Sequence, residues 1–301
     1  MRSVLLLISF PVLLLSIGYV VLLAISYWMD TELTDHVFSW YWINETFIPV
    51  SIIILLFVSL WFLIAWIFHA SMIRRATSAK PLARSENLRV YNLTENLCIQ
   101  IGMKMPLINI IEDESLNAFA SGIDQRTYAI TVSRGLIDEL DDDELEAVIA
   151  HEITHIRNGD VRLLIISIIF VGIFAFITEA VMRLFRSDKS DRGGVPILLI
   201  VMLVSAVAYF ISLLLRFGIS RSREYLADAG SAELTKRPYA LAMALRKINE
   251  DPSIEAVQRE DVAQLFIEHP KLGNRRKFGI AGLFATHPPI EHRIEILEQF
   301  I

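Results

Sequence analysis

His151-Glu152-Ile153-Thr154-His155 places two imidazoles four positions apart with a carboxylate between them. On a helix this H-E-x-x-H spacing stacks both rings on one face, where each can offer a nitrogen to a single zinc ion. Glu152 stands beside them, able to take a proton from the water that attacks a carbonyl. The alternative is a pair of accidental His on an exposed helix, which a chain with only 7 His makes a poor explanation of the whole pattern. A hydrolytic site needs a third protein ligand and an open fourth position. The chain holds one cysteine, Cys98, so no internal disulfide or cysteine knuckle can form, and the ligands must be His and carboxylates. Cys98 itself reads as a small buried hydrophobe on a helix.

The elements that position these residues are legible from their patterns. Asp141 offers a side-chain cap, and Glu144 three positions on closes a capping box. Leu145, Val148, Ile149, Ile153 and Ile156 then keep helical period, so the pentad sits on an amphipathic helix. His155 lies eight residues before Leu163, where an apolar run opens. If the helix runs on, a metal there lies only about 12 Å from hydrocarbon. A later apolar run ends at Leu215 and Glu224 follows nine residues on, about 13.5 Å further along a helix. A membrane hairpin would bring Glu224 level with the two His, with Asp228 at i+4 placed to accept a spare imidazole N–H. The same spacing is met by a solvated face shared by Arg221, Arg223, Glu224 and Asp228. Upstream, Val90, Leu93, Leu97 and Ile101 predict a helix over 86–104, ended near Gly102 and Pro106. Leu107 to Ile111, Asn117 to Ser121 and Tyr128 to Val132 predict three strands, the last two joined by a turn containing Gly122 and Asp124.

The chain of 301 residues is 54% hydrophobic and 21% charged, with a mean hydropathy of +0.48. Disorder, collagen and a small disulfide scaffold are excluded. A formal charge of −6, from 28 Lys+Arg and 34 Asp+Glu, gives a nucleic-acid partner no electrostatic support. The apolar residues collect in four runs, Ser3 to Met29, Phe47 to Ile73, Leu163 to Thr178 and Gly193 to Leu215. The first two exceed the roughly 20 residues needed to cross a bilayer, the third is short and the fourth adequate. The first is too long for a signal peptide and reads as an uncleaved anchor. Arg74, Arg75, Lys80 and Arg84 follow the second run, whereas Asp30, Glu32, Asp35 and Glu45 lie between the first two. The positive-inside rule puts that loop outside and the soluble stretches in the cytoplasm. Arg183, Arg186, Lys189 and Arg192 run against the rule, which leaves a full hairpin and a partial insertion both open. The expected organisation is a two-span anchor (1–73), a first catalytic half (74–162), a membrane hairpin (163–215) and a second catalytic half (216–301).

Four motifs occur together with these runs: H-E-I-T-H-I-R-N-G-D at 151–160, R-E-Y-L-A-D-A-G at 223–230, N-A-F-A-S-G at 117–122 and T-H-P-P-I-E-H-R at 286–293. In that combination the chain resembles, essentially end to end, the HtpX family of bacterial inner-membrane zinc metalloproteases, gluzincins related to the CAAX prenyl proteases. The resemblance implies an α+β fold class, a mainly helical integral membrane protein with a small mixed-sheet gluzincin-type catalytic domain. It makes Glu224 the third ligand of one Zn2+ per chain and Asp228 the partner of a ligand His. Asn117, Ala118, Phe119 and Ala120 match an edge strand that pairs with an extended substrate backbone. His287 and Arg293 match a pair near the active site that would hold substrate or stabilise the oxyanion. From sequence alone Phe119 reads as a core residue and Arg293 as a helix surface charge, and His36, His69, His269 and His292 as incidental.

The implied function is a zinc endopeptidase in the bacterial inner membrane, multi-pass, with its catalytic domain facing the cytoplasm. Glu152 would act as base and then protonate the leaving amine. Its substrates would be misfolded or damaged membrane proteins and unfolded polypeptides in stress-linked quality control, with self-association or self-cleavage among its partnerships and the lipid bilayer as its surroundings. Two alternatives stand beside this, a narrow processing peptidase and a zinc-stabilised membrane scaffold that binds extended segments without cutting. A purely structural zinc has no use for the base at Glu152.

Overall fold

Along the chain run helices α1 (Phe10–Leu23) and α2 (Trp40–Ala76), strand β1 (Lys80–Pro81), α3 (Leu88–Gln100), and strands β2 (Leu107–Ile111), β3 (Ala118–Ser121) and β4 (Ala129–Ser133). There follow α4 (Arg134–Glu139), α5 (Asp142–Asn158), α6 (Asp160–Ser187), α7 (Arg221–Thr235), α8 (Pro238–Glu250) and α9 (Ile290–Glu298). These come from a computed structural model that describes residues 10–23, 26, 40–187, 203, 207, 221–250 and 288–300. The chain divides into two units, one of Met1–Ile67 with Ile166–Leu215, the other of Phe68–Ile165 with Arg216–Ile301.

The first unit is helical. α2, with 37 residues, is long and apolar enough to cross a membrane, and it contains the whole second apolar run. Ile52, Ile53, Leu56, Leu60, Leu63 and Ile67 are exposed along it, a surface suited to hydrocarbon and costly in water. Phe10 and Leu14 of α1 pack with Val58, Ile166 and Ile173 in one apolar cluster. The Trp61 indole N–H, drawn into this layer, donates to the Ile169 carbonyl at 3.2 Å. α6 extends beyond the apolar run that ends at Thr178, because Glu179 and Arg183 pair one turn apart and keep the polar stretch helical. The apolar run 193–215 lies outside the described residues, save residues 203 and 207.

The second unit holds a mixed four-stranded sheet in the order β1-β2-β4-β3. β2 and β4 run parallel, with Ile108 opposite Ile130, and β3 runs antiparallel to β4, with Ala120 opposite Ile130. β2 forms over the span its β-branched run predicts. β3 starts one residue late, since the Asn117 side chain accepts the Ala118 N–H. β4 runs on to Ser133, whose hydroxyl then caps α4 by accepting from Leu136 N–H. α3 is capped by Asn87 and followed by Gly102 at φ 64°, so it is shorter at both ends than the expected span 86–104. α5 packs against β3, β4, α3, α7 and α8. Leu145, Ala147, Val148, Ile149, Ala150 and Ile153 are therefore all fully buried. The expected fold class, mainly helical with a small mixed sheet, is the observed one.

Candidate metal centre

α5 begins at a complete capping box. Asp141 Oδ1 accepts from Glu144 N–H at 2.9 Å, and Glu144 Oε2 accepts from Asp141 N–H at 2.9 Å. Asp142, Asp143 and Glu144 in the first turn complement the helix dipole. The helix ends at Gly159, left-handed at φ 74° and ψ 16°, whose N–H returns to the His155 and Ile156 carbonyls. A continuous helix from His155 into the apolar run is thus corrected: the chain breaks at Gly159 and α6 starts afresh at Asp160. The axial rise between His155 and Leu163 does not measure their separation.

α7 crosses α5 at a point where no side chain fits between them. A Cβ on Gly230 would stand 2.4 Å from Thr154 Cγ2. One residue on, the Ser231 hydroxyl donates to the Ala147 carbonyl at 2.6 Å. This approach carries Glu224 and Asp228 onto the face that bears the two His. Arg223, Glu224 and Asp228 are all buried, which overturns the solvated-face alternative.

His151 Nε2 and His155 Nε2 lie 3.1 Å apart. Glu224 Oε1 is 3.5 Å from His155 Nε2 and its Oε2 3.7 Å from His151 Nε2. A tetrahedral metal site with bonds of about 2.0–2.1 Å has ligand-to-ligand edges of about 3.4 Å, which is the scale of this triangle. The proton positions fit a metal as well. His151 Nδ1 lies 3.0 Å from Asp228 Oδ1, and His155 Nδ1 lies 3.2 Å from Asp160 Oδ2. A carboxylate only accepts, so Asp160 favours the His155 proton on Nδ1 and leaves Nε2 to turn inward, and Asp228 stands where it can do the same for His151. Nε2 atoms 3.1 Å apart need a metal ion or a shared proton between them. The local field agrees: burial alone would depress the His155 imidazolium, but the Glu224, Asp160 and Glu152 carboxylates outweigh it and raise it to about 9.

Glu152 is buried, and that burial raises its carboxyl above the usual range. The two His and the Ala120 N–H pull it down, and Glu224 pushes it up. A carboxyl held high is suited to taking and returning a proton near neutral pH. Asp228 behaves oppositely. Burial would raise it, yet Arg293 and His151 hold it at about 2.

β3 lies at the edge of the sheet, so Ala118, Phe119 and Ala120 sit on an edge strand with Asn117 just before it. The Ala120 N–H turned to Glu152 joins that edge to the candidate base. The Phe119 side chain is fully buried, as its core reading has it, while its backbone belongs to the edge. Arg293 on α9 is fully buried, not a surface charge. Its guanidinium grips Asp228, and its Nη1 comes within 3.5 Å of Glu224 Oε2. His287, with His36 and His269, lies outside the described residues. His69 is buried on α2, and exposed His292 meets Glu295 and the Tyr225 ring edge. Two residues that sequence reasoning passed over stand at the site: Asp160 against His155, and Arg223, whose Nη1 donates to Asp160 Oδ1 at 2.6 Å. Their only signal was a place inside motifs valued for other residues.

A sequence model described as Peptidase family M48 matches residues 84–301. The chain is 53% identical over 313 residues to a Protease HtpX homolog of Bacteroides fragilis, covering 100% of this chain and 96% of that protein. A Protease HtpX homolog of Dictyoglomus turgidum is 39% identical over 265 residues, covering 87% of this chain and 84% of that protein. The crystal structure of S. mikatae Ste24p is similar at a TM-score of 0.49 and 21% identity over 92% of this chain, which spans 62% of that protein's length.

Proposed function

Because the chain belongs to peptidase family M48 and its HtpX proteases, we propose that this membrane-associated metallopeptidase is a zinc endopeptidase of the cytoplasmic membrane face. Its substrates are the unfolded segments of misfolded or damaged membrane proteins. The observation that carries the reading is the convergence of His151, His155 and Glu224 beside buried Glu152, a group that no fourth His, Cys, Asp or Glu joins among the described residues. Three ligands and a vacant fourth direction are what a hydrolytic centre requires.

His151, His155 and Glu224 would hold a zinc ion there, which would supply a Lewis acid for the scissile carbonyl and the attacking water. Glu152 takes a proton from that water and passes it to the leaving amine. The β3 edge offers main-chain hydrogen bonds to an extended segment, a mode that gives affinity with little side-chain preference. Such a site suits unfolded chains of varied sequence, hence quality control. Arg74 and Arg75 close α2, and by the positive-inside rule they support a multi-pass chain with its peptidase unit in the cytoplasm of a bacterial inner membrane.

The test compares cleavage of an unfolded membrane protein by the full chain and by Glu152→Gln. Both are prepared metal-free in detergent to prevent self-cleavage and then loaded with counted zinc. The parent is expected to cut, and the variant to hold one zinc without cutting. If both hold zinc and neither cuts, the endopeptidase reading gives way to a scaffold or a narrow processing enzyme.

A further inference from the structure

The two ligand imidazoles are served alike. Asp228 Oδ1 stands 3.0 Å from His151 Nδ1, and Asp228 is itself gripped by Arg293. On the other side Asp160 Oδ2 meets His155 Nδ1 at 3.2 Å, while Asp160 Oδ1 accepts from Arg223 Nη1 at 2.6 Å. Asp160 and Arg223 are both buried. We propose that Asp160, held by Arg223, is the positioning residue for His155: it fixes the proton on Nδ1 and leaves Nε2 as the metal-binding lone pair. This rests on the metallopeptidase reading above.

The backbone is built for that contact. On an unbroken helix a residue five positions after His155 would lie about 140° round the axis from it, facing away. The left-handed turn at Gly159 redirects the chain so that Asp160 comes back under the imidazole. Arg223 completes the device. It precedes the ligand Glu224 on α7, so its ion pair with Asp160 ties the third ligand's helix to the second ligand's ring. One carboxylate oxygen serves the guanidinium and the other the imidazole, and only a carboxylate can accept at both ends.

An amide cannot do this. In Asp160→Asn the carbonyl oxygen stays with Arg223, and the amide N–H2 turns to His155 Nδ1. A donor facing a donor drives the proton to Nε2, the tautomer that cannot bind metal there. The experiment uses the full chain in detergent as parent, Asp160→Asn, and the double variant Asp160→Leu/Arg223→Met, which leaves no buried charge unpaired and offers His155 Nδ1 no acceptor. Zinc is titrated against a chromophoric chelator, and 15N spectra of the metal-free imidazoles, taken above pH 9 where the His155 ring is neutral, report the tautomer.

Zinc affinity is expected to fall about 10- to 100-fold in both variants, with the His155 proton found on Nε2 in Asp160→Asn. Restored affinity in the double variant would reduce Asp160 to half of a structural ion pair and overturn the proposal. So would a single variant that binds zinc as tightly as the parent. A parent that binds no zinc is a different failure, since it removes the metallopeptidase reading and this inference with it.

Discussion

Arg293 and Asp228, 65 positions apart, meet as a fork: Nε donates to Oδ2 at 2.9 Å and Nη2 to Oδ1 at 2.7 Å. Both side chains are buried, so the last described helix is fastened to the carboxylate that orients His151. Removing one partner strands the other's charge in the interior, which costs about 3–5 kcal/mol. Arg293→Met and Asp228→Asn should each lower the stability of metal-free protein by that order. The double variant should lose less than the sum, because neither half of the fork is left without the other. A double-mutant cycle on urea unfolding reads the coupling, and strict additivity would show that the fork does not bind α9 to the site.

The crossing of α5 and α7 turns on a missing side chain. Gly230→Ala puts a methyl where Thr154 Cγ2 and Oγ1 already stand, 2.4 and 2.7 Å away. The helices must separate, which carries Glu224 away from the two imidazoles, at a cost of about 1–3 kcal/mol. Zinc affinity and stability should therefore fall together in Gly230→Ala. Thr154→Ala removes both obstructing atoms and should recover much of each loss when combined with it. If Gly230→Ala binds zinc normally, the close crossing does not set the ligand geometry.

What could be read in advance was local. The Asp141–Glu144 capping box spans four residues, and the H-E-x-x-H helix and the β2 run carry their periods within a short stretch of chain. Glu224 and Asp228 were half legible, because i, i+4 spacing shapes a face without saying whether water or another helix covers it. Arg293 reads as a surface charge by default, since its burial depends on a carboxylate 65 positions away. Asn158-Gly159 is an ordinary helix stop, but the apolar run beyond it made continuation look natural. Asp160 gains a role only once that stop bends the chain.

Cys98 offers a check on the second unit's core. Burial, aided by the Glu95 carboxylate, pushes its thiol up to about 11. A group raised on folding contributes stability that is complete below its unfolded value, about 8.5, and is lost as pH rises through the folded one. The native protein should thus resist iodoacetamide at pH 8 while the denatured chain reacts, and labelling should begin only as alkali loosens the fold. The chain has 1 Cys, so mass spectrometry gives an unambiguous count. Native labelling at the denatured rate would place the thiol at the surface.

Removing the metal should loosen the centre in a particular way. A metal ion or a shared proton reconciles two inward Nε2 atoms 3.1 Å apart with Glu224 closing the triangle. Stripped of the metal, the site must admit a proton or let the rings part. A chelator should therefore lower the thermal midpoint of the full chain, and zinc at about a thousand times its dissociation constant should return about 4 kcal/mol. His151→Gln keeps a polar side chain but removes one ligand nitrogen, so its midpoint should respond to neither chelator nor zinc at the same concentrations. Magnesium should not substitute for zinc in the parent, because two imidazole nitrogens suit a borderline-soft ion and not a hard one. A parent whose midpoint ignores the chelator would mean that the folded state holds no metal at this triad.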